Sequence, residues 1–339
     1  MGFYTGEKLL SSLDVNKKKP ELYLCTDLRS SGKTTFFVKM LTNRFLKTGE
    51  KFVYLVRFNN ELDDLSKCLY EDVGSLFFKG RKFESSIKGG FYSDIRVDGV
   101  TMGYGLAINS ADKIKRKSHM FVGASSIMFD EFQSENNHYC PSEVQKFMSI
   151  HKSLARGGGK GTRYLPVYML SNHITLLNPY FTALGVTDLH RSTRYRKGDG
   201  FVLEQLFNSQ SMESSKESGF DRAFSNTDYS KMTGQGIYLN DDTSYIVKPK
   251  GLGRYRCTII YNGREYGIVN YDDYSFIGNS VDKTFPLRYT IKRDEIGGNS
   301  QFISRCPSLV DELRKDFATG DIRFSDLSAK DAMIHTISY

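Results

Sequence analysis

Cys25-Thr26-Asp27-Leu28-Arg29-Ser30-Ser31-Gly32-Lys33-Thr34-Thr35 is the stretch on which the reading of this chain turns. The apolar run Leu22-Tyr23-Leu24-Cys25 leads into it and predicts a short buried strand, and Phe37, Met40, Leu41 and Phe45 follow at helical spacing. Strand, tight loop, Gly-Lys-Thr and helix are the parts of a phosphate-binding loop, where backbone N–H groups and a helix N-terminus converge on an anion. On this reading residues 27–35 (Asp27, Leu28, Arg29, Ser30, Ser31, Gly32, Lys33, Thr34 and Thr35) cradle a nucleotide. Lys33 reaches its β/γ-phosphates, and the Thr34 hydroxyl ligates Mg²⁺. Asp27 stands where the pattern usually has its first glycine, and is expected to supply the left-handed turn that glycine normally supplies. The bland alternative is an SGKTT that simply opens an ordinary helix.

Outward from the loop, Phe52–Val56 predicts a second buried strand, and Asn59 or Asn60 is placed to cap a helix carrying Leu62, Leu65 and Leu69. Residues 77–111 alternate and are rich in glycine, as short strands and hairpins are. Ser126–Phe129 and Val167–Leu170 predict further strands. Ser142 is set to cap a helix through Val144, Phe147, Met148, His151 and Leu154, which meets Gly157-Gly158-Gly159. Residues 208–235 are polar, with few apolar positions, and read as a linker or small solvated domain. Beyond them the pattern is β-rich: Tyr245–Val247, Cys257–Tyr261 and Tyr266–Val269, with Asn262-Gly263 as a hairpin signal and a helix expected over 308–317.

The 339 residues suffice for two domains, and 39% hydrophobic content supports a packed core rather than global disorder. The net charge of +8 fits a nucleic-acid partner without requiring one. Five scattered cysteines form no CxxC pair and read as reduced thiols of a cytoplasmic protein. No apolar run reaches the roughly 18 residues of a membrane span, and no signal-peptide core is visible.

Phe129-Asp130-Glu131-Phe132 follows the Ser126–Phe129 run. Two acids at the end of a buried strand, downstream of a phosphate loop, suit a Walker-B role: Asp130 in the Mg²⁺ shell, and Glu131 orienting and deprotonating the attacking water. Two solvated acids after a core strand are the plain alternative. With this second signal the sequence resembles the DNA-encapsidation ATPase of phi29-type small tailed phages. The resemblance is carried in order by Arg44–Lys47 with Gly49–Tyr54, by Ile127–Phe132, by Leu170-Ser171-Asn172 with Asn178–Phe181, and by Ile260–Gly263 with Gly267.

The resemblance implies an α/β architecture. A P-loop ATPase domain of the additional-strand, catalytic-glutamate class (1–207) is followed by a small linker domain (208–235) and a ribonuclease-H-like domain (236–339) whose nuclease chemistry is lost. The Cys257–Tyr261 strand carries no carboxylate, in keeping with that loss, while the nearby Asp272 and Asp273 leave a nuclease alternative beside the reading of a polar hairpin. It also implies a homo-oligomeric ring, pentameric in the family, that uses ATP and Mg²⁺ to drive double-stranded DNA into a prohead. The expected partners are duplex DNA, further copies of the chain, the prohead portal and a packaging RNA, in the cytoplasm of an infected bacterium. Matching positions assign a trans-acting finger to Arg156, with Arg163 as its rival, and a nucleotide-contacting or sensing role to Arg29. They assign coupling of hydrolysis to movement to Ser171 and Asn172, and DNA contact to Lys113, Lys115, Arg116 and Lys117, with Lys117 facing the pore. The basic residues Lys248, Lys250, Arg254 and Arg256 could touch DNA or RNA. Another ring translocase or helicase, or a non-hydrolysing nucleic-acid scaffold, are the alternatives.

Overall fold

A computed structural model describes residues 4–206 (apart from 122, 137, 157–160, 187–188 and 190–192) together with residue 223 and residues 245–338. The expected linker 208–235 and the Gly157–Gly159 stop therefore lie outside the described residues, save 223. The chain divides into two units, Met1–Leu184 with Leu189–Asn240, and Gly185–Asp188 with Asp241–Tyr339.

The first unit is a nine-stranded mixed sheet. Its parallel centre comprises β1 (Leu22–Thr26), β2 (Lys51–Val56), β5 (Val100–Ala107), β6 (Ala124–Phe129), β7 (Val167–Ser171) and β9 (Phe201–Gln205). β3 (Phe83–Lys88) and β4 (Tyr92–Val97) add antiparallel strands beside β5, and β8 (Tyr195–Gly198) does so beside β9. The spatial order is β3-β4-β5-β2-β6-β7-β1-β9-β8, so β7 lies between β1 and β6. Strands β1, β6 and β7 are almost wholly buried, as continuous apolar runs predict for strands covered on both faces.

Helix α1 (Glu7–Ser11) is short, and α2 (Lys33–Thr48) follows β1. Gly49, at φ 76°, ends α2 and donates its N–H to the Phe45 carbonyl at 2.7 Å, a left-handed C-terminal stop. Phe37, Val38 and Leu41 bury one face of α2, and Phe37 packs on Tyr4, Phe36 and Tyr168. Burying each such side chain contributes about 1.5–3 kcal/mol.

Two local expectations need correction. The helix near Leu65 is α3 (Leu65–Phe77), with Asp64 rather than Asn59 or Asn60 at its cap position; Asn59–Leu62 instead forms a separate 3₁₀ turn. Helix α5 (Glu143–Leu154) does begin after Ser142, but the Ser142 side chain makes no capping bond: Ser142 is left-handed (φ 56°), and the Glu143 carboxylate accepts the Cys140 N–H instead. The basic run 113–117 lies on and just after a short helix. Ala111 and Ile114 bury one face of a short helix, α4 (Ala111–Arg116), and α4 packs against α5. Helix α6 (Pro179–Leu184) follows β7.

The second unit is a six-stranded sheet ordered β14-β13-β10-β11-β12-β15. Its strands are β10 (Arg254–Tyr261), β11 (Arg264–Asn270), β12 (Ser275–Gly278), β13 (Arg288–Thr290), β14 (Gln301–Phe302) and β15 (Ile322–Phe324). The meander β10–β11–β12 is antiparallel, whereas β13 runs parallel to β10, β14 to β13 and β15 to β12. Helices α7 (Pro307–Thr319) and α8 (Leu327–Ser338) bury Leu309, Leu313, Ala332 and Met333 in a core with Ile259, Ile268 and Phe324.

The Asn262-Gly263 hairpin is tighter than expected. Tyr261 pairs with Arg264, leaving a two-residue loop with φ of 54° and 71°, the signature of a type I′ turn. Tyr245–Val247 is not a strand; only Ile246 forms an isolated bridge, to Phe324.

Candidate functional site

The site forms where the C-terminal ends of β1, β6 and β7 meet the start of α2. Parallel strands present their ends together, so residues distant in sequence converge there. Asp27, Arg29–Thr35, Asp130, Glu131, Ser171 and Asn172 all belong to these ends.

The loop achieves its turn by another route than the sequence suggested. Asp27 is not left-handed; the positive φ values fall on Ser30 (61°) and Gly32 (91°). Asp27 is buried, its carboxylate accepts the Leu28 N–H at 2.8 Å, and its own N–H goes to the Ser171 carbonyl at 3.3 Å. Leu28 is buried as well. The amides of Asp27 and Leu28 are thus consumed within the protein. The cleft of about 200 Å³ over the loop is lined by Arg29–Thr35, Asp130, Glu131, Ser171 and Asn172, without Asp27 or Leu28. These two residues shape the loop rather than face the cleft.

Lys33, 6% exposed, donates from Nζ to the carbonyls of Asp27 (3.3 Å) and Leu28 (2.8 Å), to Ser31 Oγ (3.1 Å) and to Asn172 Oδ1 (3.5 Å). These four hydrogen-bond acceptors are all neutral oxygens, a set that an anion can displace. The Asn172 contact ties the end of β7 to the loop lysine, and Ser171 donates to the Asn172 carbonyl at 2.8 Å.

Thr34 Oγ1 donates to Asp130 Oδ2 at 2.6 Å. Burial raises the Asp130 carboxyl above its usual range, against the lowering pull of Thr34 and Lys33. A hydroxyl beside a carboxylate is a hard oxygen pair suited to Mg²⁺, which takes few protein ligands and completes its shell with phosphate and water. Among the described residues no group of three or more His, Cys, Asp or Glu could form an all-protein metal cage.

Glu131 sits one residue further on, at φ 52°, with its N–H bonded to Asp130 Oδ1 at 2.9 Å. Its carboxyl is exposed to the cleft and raised above its ordinary range by partial burial and then by the Asp130 charge; Arg29 pulls the other way. A second cleft of about 350 Å³ continues past Glu131, lined among others by Arg29, Arg57, Glu61 and Gln133. Across it Arg29 reaches Glu135 at 3.7 Å, both half exposed. On the far side of the loop, Gly32 and Thr35 open onto an apolar cleft of about 740 Å³ lined by Tyr4, Leu10, Phe36, Met40 and Phe77.

Not every predicted residue gathers here. Arg156 is exposed, two residues beyond α5, in an isolated bridge with Thr162. Arg163 is half-buried and donates to the Leu154 carbonyl at 3.1 Å, so it is this arginine that tends the C-terminus of α5. Lys113, Lys115, Arg116 and Lys117 are exposed on and just after α4, and the Lys117 ammonium lies 5.2 Å from the Phe91 ring centroid. In the second unit Arg256 pairs with Glu312, Lys248, Lys250 and Arg254 are exposed, and Asp272 and Asp273 are exposed in the β11–β12 connection, as a polar hairpin requires.

Arg57 carries no signal in the sequence that marks it as part of the site. It follows β2, is 8% exposed, and its Nε meets Glu143 Oε2 at 2.9 Å. A lone arginine after an apolar strand carries no local signal of its partner.

Fold and site together define an α/β protein with mixed sheets, whose first unit carries a strand–loop–helix of the phosphate-binding kind beside an acid-tipped strand. Residues 2–337 match the family of the podovirus DNA encapsidation protein (Gp16), and the chain belongs to that family: it is a DNA-packaging protein of phi29-type bacteriophages. Over 338 residues it is 26% identical to the DNA packaging protein of Bacillus phage phi29, covering 96% of this chain and 93% of that one. Its fold is similar to that of the bacteriophage phi29 genome packaging motor assembly, with a TM-score of 0.70 at 23% identity over 99% of this chain and 97% of that one. It is similar also to the Phi-28 gp11 DNA packaging motor, with a TM-score of 0.62 at 15% identity over 99% and 96%. Among the described residues no helix is long and apolar enough to cross a membrane.

Proposed function

We propose that the chain is the ATPase of a packaging motor, which hydrolyses ATP with Mg²⁺ to drive double-stranded DNA into a prohead. The observation that carries this reading is the convergence of Lys33, Thr34, Asp130, Glu131 and Asn172 on one cleft. The triphosphate lies over residues 29–35, and the base takes the apolar cleft beside Gly32 and Thr35. Phosphate oxygens replace the carbonyls that now hold Lys33. Thr34 and Asp130 would hold Mg²⁺, which would supply charge neutralisation at the phosphates. Glu131 orients the attacking water and takes its proton, and Asn172 senses the γ-phosphate through Lys33.

Exposed Arg156 is the finger offered to a neighbouring copy in a ring, pentameric by family resemblance; Arg163, occupied by Leu154, is the weaker candidate. Lys113, Lys115, Arg116 and Lys117 contact duplex phosphates, which binds DNA without reading its sequence. The position of β7 between β1 and β6 supports the additional-strand class. The order β14-β13-β10-β11-β12, with only β11 antiparallel to β10 and β12, supports a ribonuclease-H-like second unit, and the absence of acids on β10 supports loss of nuclease chemistry. The division at 1–207, 208–235 and 236–339 accompanies this assignment. The prohead portal, a packaging RNA and a host-cytoplasmic site of action complete it. The left-handed turn at Ser30 and Gly32 supports a working phosphate loop over the non-hydrolysing scaffold alternative.

The test is ATP hydrolysis per chain against protein concentration, with and without duplex DNA, for wild type and Arg156→Ala. A rate that climbs cooperatively, rises with DNA and collapses in the variant supports a ring with a finger in trans. Concentration-independent hydrolysis that ignores the substitution overturns the Arg156 role, and absence of hydrolysis under every condition overturns the ATPase reading.

A further inference from the structure

Glu131 occupies a left-handed backbone conformation that is unfavourable for a non-glycine residue, and such strain persists only where the surroundings over-determine it. Three ties do so here. The Glu131 N–H is tied to Asp130 Oδ1, and the Phe132 N–H to the Leu170 carbonyl at 3.1 Å. The third tie comes from Arg57. Its Nη2 donates to the Phe132 carbonyl at 2.9 Å, and Nη1 and Nη2 both approach the Glu131 carbonyl at 3.4 Å.

The guanidinium is itself fixed. Its Nε bonds both oxygens of Glu143, at 3.1 and 2.9 Å, and Glu143, 3% exposed, also accepts the Cys140 N–H at 2.7 Å and the Tyr180 hydroxyl at 2.8 Å. The cluster draws on four separate elements: the end of β2, the start of α5, the start of α6 and the turn after β6. A buried ion pair is poor value for stability alone, since apolar residues of the same volume commonly do as well. What the planar, five-donor guanidinium supplies is geometry: one edge is held by a carboxylate, and the other reads two successive carbonyls.

We propose that Arg57, oriented by Glu143 and Tyr180, is a positioning residue for hydrolysis: it clamps the carbonyls of Glu131 and Phe132 and so holds the Glu131 carboxylate in the cleft. This rests on the reading of Glu131 as the residue that orients water. Arg57 does not touch the nucleotide; it acts through the turn. Because α5 starts at Glu143 and leads to Arg156, the same clamp fixes the root of the helix that carries the finger.

The experiment uses the full-length chain in the presence of duplex DNA and compares Arg57→Lys, Tyr180→Phe and Glu131→Gln with wild type. Each is assayed for kcat, for affinity toward a fluorescent ATP analogue with Mg²⁺, and for thermal unfolding. Lysine keeps the charge facing Glu143 but cannot span the two carbonyls. Phenylalanine removes one donor to Glu143 and leaves no buried charge unpaired, so it folds even if the lysine variant does not. The expected result is a fall in kcat of tenfold or more for Arg57→Lys and of several-fold for Tyr180→Phe, with nucleotide affinity within twofold of wild type. A wild-type kcat in Tyr180→Phe and in any folded Arg57→Lys overturns the proposal, as does a parallel loss of kcat, affinity and Tm. If Glu131→Gln hydrolyses like wild type, the parent reading fails and takes the proposal with it. If Glu131→Gln is inactive and the clamp variants are not, the clamp alone fails.

Discussion

If Glu131 is the base proposed above, Glu131→Gln should separate chemistry from binding. The Glu131 carboxylate takes no hydrogen bond from the described residues, whereas its backbone is held by Asp130 and Arg57. Glutamine keeps that backbone, the side-chain length and a polar end, and loses only the base. Removing a positioned general base costs about 10²- to 10⁴-fold in rate. At about 1.36 kcal/mol per decade this adds roughly 3–5 kcal/mol to the barrier. Nucleotide binding through Lys33, Thr34 and the loop amides is untouched, so affinity stays within about twofold. The pH dependence follows from the raised carboxyl. A base works only when ionised, so wild-type activity falls, as pH drops, at a pH above that of a solvent-exposed glutamate. For stability the sign is opposite to that of a salt-bridged acid. Because the folded-state pKa lies above the unfolded one, the native state binds more protons between them, and the group weakens the fold at neutral pH. Glu131→Gln therefore leaves neutral-pH stability equal or slightly higher, within the ±0.5 kcal/mol or so usual for exposed positions, and any gain fades as pH falls through the folded pKa. Single-turnover hydrolysis, equilibrium nucleotide binding and thermal unfolding from pH 5 to 8 check these points together. Wild-type turnover in the variant, or loss of nucleotide binding with it, refutes the assignment of Glu131 as the base.

Three further outcomes follow from other parts of the fold. Phe37→Ala, at a fully buried ring packed between Tyr4, Phe36 and Tyr168, should lower unfolding free energy by about 3–5 kcal/mol, read as a lower denaturant midpoint at unchanged m-value; Met148→Ala, at a position 47% exposed, serves as the small-effect control. Thr34→Val keeps the shape of the helix start but removes the hydroxyl that meets Asp130. The thermal stabilisation that ATP gives with Mg²⁺ should shrink to what ATP gives in EDTA, and full Mg²⁺-dependent stabilisation in the variant would reject Thr34 as a ligand. Lys117→Ala should weaken binding to duplexes of any sequence alike and reduce the slope of log affinity against log salt by about one, whereas an unchanged slope would remove Lys117 from the DNA contact.

Much of the first unit was legible because its parallel strands are buried on both faces. Leu22–Cys25, Phe52–Val56, Ser126–Phe129 and Val167–Leu170 are runs with no polar alternation, and each is a strand or part of one. Their order in the sheet was not legible, since pairing is set by contacts between strands and not within them. Errors arose where a residue type was read without its dihedral. Asn59, Asn60 and Ser142 have capping side chains, yet helix starts at those points are decided by a 3₁₀ turn and by left-handed residues at Asp64 and Ser142. Asp27 suffered the same misreading. The two non-glycine left-handed residues of the cleft are Ser30, in the loop after β1, and Glu131, in the turn after β6. A rule that seeks glycine at positive φ overlooks both. Asp27 explains how Ser30 is tolerated: its buried carboxylate closes the base of the loop on the Leu28 amide, so the turn can be made three residues later. Arg57 explains Glu131, but the ion pair that orients Arg57 spans eighty-six residues. The turn at Glu131 is therefore a tertiary feature, written jointly by β2, α5 and α6, and a window sliding along Phe129–Phe132 contains the acid but not the reason it points where it does.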